Sequence, residues 1–324
     1  MKCWVPKALA CLCCTVAMSC DPSGGVGPWE LRERRTYLPS IGMLEQYEHS
    51  LVRAPSTETL EVILPLGMLR EDFALIGRER VELAAGAKVL EPRQKSYQWG
   101  AFIAGMGSVT IGEGARVGGI YNLGEGPTII RRRASVSGYI KVAGEVERSP
   151  EAVVRVGVLE HVAPNLEMYS FSVTLPQQGK DVTHSDPTRS LALAPGAYGG
   201  VRVEAGCVLR ISTGEYSLRE MALDRGARLD IDNSGGPVYI WVGEELSLSG
   251  EMVSLSPLRN VLLGFVGDSE LELASPLRAT LVAPHAHVAL LAAPKHHEGS
   301  VFARAITVAE RAHLEHYRFS DQQE

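Results

Sequence analysis

From about residue 60 onward, apolar and polar residues alternate in short runs that are cut off by glycine. Residues 81–89 (VELAAGAKV) and 109–117 (VTIGEGARV) write one frame, with apolar residues at places one, three, seven and nine and glycine at place six. The frame returns at 201–209 (VRVEAGCVL) and 221–229 (MALDRGARL), and more loosely at 280–288 (TLVAPHAHV) and 306–314 (ITVAERAHL). Alternation of this kind predicts a strand with one buried face. Glycine at place six (Gly86, Gly114, Gly206, Gly226) accepts a positive φ without steric cost, so the chain is expected to turn there. Each copy therefore reads as strand, corner, strand. No stretch after Leu51 sustains a helical period.

A longer unit repeats around the frame. PGAYGGVRVEAGCVLRIS and TGEYSLREMALDRGARLDI align Gly196 with Gly214, Tyr198 with Tyr216 and Gly206 with Gly226, a period of 18 to 20 residues. Units of that length cannot close a core singly, so they are expected to stack and bury a continuous aliphatic column. The expected fold class is all-β: a parallel, right-handed β-helix or β-solenoid behind an N-terminal signal and tether. An antiparallel sandwich would alternate too, but explains the Gly-Ala corners less well. The expected organisation is a lipoprotein-type signal peptide (1–19), then a tether with a helical cap around residues 29–51 (20–59). A first solenoid half (60–162), a connector (163–190), a second half (191–319) and a short tail (320–324) follow. YSFSVTL (169–175) reads as a strand inside the connector. In this linear order the C-terminal coil is an open end, where unpaired strand groups invite self-association or partner docking.

Composition narrows the picture. Hydrophobic residues make up 45% of the chain and aromatics only 6%. A core so short of aromatics has to be built from Val, Leu, Ile and Ala, which suits thin regular layers. Net charge is −6, and without Lys2 and Lys7 of the signal it becomes −8, from 30 basic and 38 acidic residues. The run Arg131, Arg132, Arg133 reads as a solvated loop, so nucleic acid is not an expected partner. At the start, MKCWVPKALACLCCTVAMSC places two lysines around an apolar run, residues 8–18, too short to span a bilayer as a helix. Cys20 follows Ala17 and Ser19. This resembles a bacterial lipoprotein signal, which implies lipidation of Cys20, a membrane partner through that anchor, and an exported, cell-envelope location. Beyond the signal only Cys207 and the lipid-bearing Cys20 remain, so no disulfide framework is expected.

Two further resemblances concern the repeats. Residues 193–250, with Pro195-Gly196-Ala197-Tyr198 at the opening and GPVYIWV (236–242) near the close, resemble a repeat module of secreted bacterial surface proteins. Residues 278–319 resemble the closing portion of that module. VTIGEGARVGGI (109–120) is similar to coils of bactofilins, the polymer-forming bacterial β-helix proteins. The resemblance implies a β-helix, an envelope location and a scaffolding role, and brings no catalytic residues. The signal and tether depart from bactofilins, which are cytoplasmic.

Candidate chemistry is sparse. Beyond the signal there is no Gly-x-Ser-x-Gly elbow, phosphate loop, Cys-x-x-Cys pair or His-Glu-x-x-His motif, so no catalytic, cofactor or metal residue is assigned. Six of the nine histidines lie in the last 40 residues. Were 280–288 and 306–314 on neighbouring coils, His287 and His313, both at place eight, would stack within reach of one metal ion, with His285 nearby. Exposed histidines on a solenoid face need no such role. Glu204 and Asp224 share place four on successive copies and could act as general acid and base or bind calcium. Asp230 and Asp232 alternate on one strand. Cys207 sits at an inward place and reads as a small buried side chain. Tyr239 and Trp241 share one strand face, where packing competes with a sugar-stacking role. The function expected is a non-enzymatic envelope β-solenoid with a structural, scaffolding or surface-display role, whose partners are itself, an envelope protein or a polysaccharide. The alternative is a carbohydrate-binding or carbohydrate-active β-helix protein, marked by a groove where acids from three or more coils converge.

Overall fold

The computed structural model describes residues 29–30, 57–65, 73–91, 101–162, 168–176, 179–256, 260–317 and 319. The expected signal peptide, Cys20 and nearly all of the expected cap lie outside the described residues. Among those described there is no helix, and parallel strands stack into a β-solenoid of about ten turns. A well-formed coil has three faces. Residues 214–218 form the first; after a bulge between Leu218 and Glu220, residues 220–223 form the second; beyond the corner at 224–227, Arg228–Asp232 forms the third. Inward residues such as Val81, Val109, Val201 and Met221 join one aliphatic column through the stack.

The corners are the four-residue turns that the frame predicts. Each is closed by the place-seven amide donating to the place-four carbonyl, as in Ala115 to Gly112 at 3.2 Å and Ala227 to Asp224 at 2.8 Å. Place six takes a positive φ: 67° at Gly86, 66° at Gly114, 80° at Gly206 and 86° at Gly226. Two corners put arginine there, Arg133 at 57° and Arg311 at 59°. The arginine run is therefore the corner of a further frame, residues 128–136 (TIIRRRASV), whose Thr128 and Ile130 pair with Val109 and Ile111. All three arginines are exposed, and they face Glu147, Glu113 and Glu151 on neighbouring coils.

The order of stacking is not the order of the chain. The strand His297–Val308 pairs on one side with Arg278–Leu290 and on the other with Phe73–Leu83, in the register Val301 to Leu75 and Ile306 to Val81. His313–His316 pairs with Lys88–Leu90, and the Arg311 amide donates to Ala85 at 3.1 Å. The last coil thus seats on the first, and residues 297–316 lie inside the stack. The expected open end at the C-terminus does not exist. From Phe73 the stack climbs to Gly157–Leu159 at one extremity, and after the chain crosses back it resumes at Val182–His184 at the other.

The crossing strand makes a second layer. Met168–Pro176 pairs antiparallel with Thr57–Pro65 and with Trp29–Glu30. Its Val173 and Leu175 pack on the outer side of the first face, with Tyr239, Trp241, Leu262, Val282 and Phe302. Tyr239 and Trp241 are buried beneath this cover, so they are packing residues and hold no sugar. Gly264 lies under the Trp241 indole, where any Cβ would collide with the ring.

Candidate functional site

The structure disperses most of the residues singled out above. Glu204 and Asp224 open successive corners, but both oxygens of Asp224 accept hydrogen bonds from Arg202, at 3.1 and 3.0 Å, and Glu204 is exposed. Asp230 is buried between Arg228 and Arg210. Asp232 accepts from the hydroxyl and amide of Ser234, at 2.6 and 3.1 Å, and those donors hold its pKa below the ordinary carboxylate value. Cys207 is buried, which pushes its thiol pKa up and keeps it inert.

His287 and His313 do not stack. Residues 280–288 contain no corner: the strand Arg278–Leu290 runs on through a bulge between Ala283 and His287, so His287 is neighbour to Ala305. Its Nδ1 lies 2.8 Å from Glu270 Oε1 and its Nε2 2.9 Å from Thr307 Oγ1. His313 sits beside Lys88 on the third face and meets His296, ring centroids 5.3 Å apart. His285 is exposed, and its carbonyl accepts from Arg304 at 2.9 Å. Among the described residues, no group of three or more His, Cys, Asp or Glu is arranged to hold a metal ion.

A cleft that sequence reasoning passed over lies on the second face. Among the described residues, Val238–Leu248 pairs with Val261–Phe265 as far as Val242, and Leu271–Leu273 pairs only with residues 288–290. No ladder therefore joins residues 244–248 to 271–273, and a cleft of about 740 Å³ opens between two coils. Glu220, Glu244, Glu245, Glu270 and Glu272 line it, acids from three coils. Arg219 bonds Glu220 at 2.7 Å and Glu244 at 3.4 Å, and His287 holds Glu270. Glu220 lies in register with Glu245, an arrangement of like charges that costs stability in a bare sheet. Place one of the frame begins at Met221, so Glu220 fell outside it. Aligning LREMAL with EELSL would have found the pair.

The arrangement can attract cations and can place carboxylates on either side of a bound group. No family model, curated protein or solved structure matches this chain.

Proposed function

We propose that this chain is a non-enzymatic structural solenoid of the bacterial cell envelope. In this reading residues 1–19 export it, lipidated Cys20 holds it at a membrane, and residues 146–162 dock it to a second copy or an envelope partner. The unlike ends of the stack carry the reading. At one end Val146–Arg148, Val153–Val154 and Gly157–Leu159 each have one ladder partner among the described residues. Val153, Val156, Leu159 and Val162 are 50, 41, 44 and 43% exposed there. At the other end, Val182–His184 and Ser190–Leu193 are flanked by exposed Asp181, Asp186, Pro187 and Arg189. Both ends carry exposed charge and a proline, with Glu147, Arg148, Pro150, Glu151 and Arg155 at the first. What sets that end apart is its group of exposed apolar side chains, which favours association.

Light scattering across a concentration series tests the docking. The parent should gain mass with concentration, or bind an envelope fraction, and Val153→Lys with Leu159→Lys should abolish both. A parent that stays monomeric and binds nothing overturns the docking. Intact mass addresses the anchor: an unmodified mature N-terminus beyond Cys20 removes it.

A second reading is favoured by the carboxylate cleft, where acids of three coils converge as a carbohydrate-active β-helix protein would require. If the parent cleaves an envelope polysaccharide, and Glu245→Gln or Glu272→Gln abolishes the cleavage, this reading replaces the first.

A further inference from the structure

Among the described residues the third-face sheet of this half stops at Glu251–Ser254, which pairs there with Arg228–Asp232 alone. Where it stops, a cleft of about 340 Å³ opens beside Arg278, Thr280 and Glu298. That volume is at the small end of ligand sites, so the cleft suits one ring-sized group rather than a chain. Arg278 and Glu298 are register neighbours on adjacent coils, and their side chains meet at 3.7 Å. His296 Nε2 lies 3.4 Å from Glu298 Oε1 and 3.3 Å from Glu315 Oε2, and Glu315 accepts the Tyr317 hydroxyl at 2.8 Å. Of these, Arg278, Glu298 and Tyr317 line the cleft.

The chemistry of the lining selects the ligand class. The guanidinium and carboxylate cancel, so neither an anion nor a cation gains a net attraction. What they present is a fork of N–H donors next to carboxylate acceptors, the complement of neighbouring hydroxyls that each donate and accept. The Ser254 hydroxyl is engaged by Asn233 and the Ser256 carbonyl and that of Thr280 by Ser300, so Arg278 and Glu298 carry the polar recognition. The opposite requirement, an apolar wall for C–H faces, is met by Leu255, Val261 and the Tyr317 ring. Leu255 is 54% exposed, an apolar side chain held at the rim of a polar cleft. Gly299 contributes bare backbone there, and a Cβ on it would strike the Ala279 carbonyl.

We propose that this cleft binds a single ring of a neutral saccharide, a hexose or N-acetylhexosamine unit, which would attach the solenoid to a glycan. The proposal goes beyond the scaffold reading and stands whether or not residues 146–162 dock. Saturation-transfer NMR on the full chain tests it with glucose, N-acetylglucosamine and cellobiose as probes and galacturonate as the charged counterpart. Ring protons of at least one neutral probe should receive saturation, and galacturonate should receive less. Arg278→Ala, Glu298→Gln and Leu255→Arg should each weaken binding roughly tenfold or more, the effect of one lost charge-assisted contact or a blocked rim. Leu255→Arg, at an exposed site, keeps the test valid if the ion-pair variants lose their fold. Glu125→Gln, on an exposed bend between Asn122 and Thr128, should leave binding unchanged. Saturation of no neutral probe, a preference for galacturonate, or binding that survives Leu255→Arg overturns the proposal. Loss of docking by the 146–162 variants with sugar binding intact would separate the two readings.

Discussion

At place six of a corner a residue must hold a positive φ, and this chain solves that with glycine in some copies and arginine in others. For a residue with a Cβ the left-handed region costs about 1–2 kcal/mol. Around Gly114 no heavy atom lies within 4 Å of an added Cβ, so a substitution there is strained by backbone conformation alone. Gly114→Val should therefore destabilise by about 1–3 kcal/mol. Arg311→Gly should be neutral or stabilising by up to about 1 kcal/mol, because its exposed ion pair with Glu310 contributes little. Denaturant melts check both. A Gly114→Val protein as stable as the parent would remove the corner assignment. The glycine corners were readable because glycine announces a positive φ. Arg133 and Arg311 announce nothing, and only the alanine that follows each hints at the same turn.

Among the elements, Arg278–Leu290 departs furthest from expectation. Its sequence TLVAPHAHV fits the frame, yet the bulge at Ala283 carries it over two faces without a corner. The chain turns later, between Leu291 and His297, and a buried histidine pins that turn. The Leu277 amide donates to His297 Nδ1 at 3.1 Å, and Nε2 lies 2.8 Å from the Leu291 carbonyl. Accepting at Nδ1 requires the proton on Nε2, the neutral form. Burial, with neighbouring His296 adding to it, pushes the His297 pKa below its ordinary 6.5. The unfolded chain takes up this proton near the ordinary value while the folded chain resists it. The stabilisation is then complete above about pH 6.5 and is lost as pH falls below it towards the depressed folded value. Unfolding midpoints should drop from about pH 7 to about pH 5, and His297→Asn should flatten that slope while lowering stability throughout. A residual slope from His313, depressed by burial in the same way, will remain. An unchanged slope in His297→Asn would count against the pinned turn.

For the whole molecule, closure of the last coil on the first makes the solenoid one body although the chain visits it in two passes. A protease site introduced at exposed Gly179 and Lys180 should cut the chain without parting the pieces, because the Phe73–Leu83 and His297–Val308 ladder still joins them. The nicked fragments should co-elute on size exclusion and separate only in denaturant; separation under native conditions would contradict the stacking order. The sequence by itself determined the unit: period-two alternation at Val81, Leu83 and their counterparts, glycine corners, an aliphatic column, and the strand character of YSFSVTL. These follow from local sterics and burial, which side chains declare. Only the tertiary structure decided which coil lies on which, that Tyr239 and Trp241 are roofed by the crossing strand, and that Glu220 faces Glu245 across coils. It also decided where the ladders stop and leave clefts. Those outcomes rest on hydrogen bonds between backbone groups that are alike in every residue. An edge strand therefore accepts any partner of matching register, and the path of the chain, not its pattern, selects the partner.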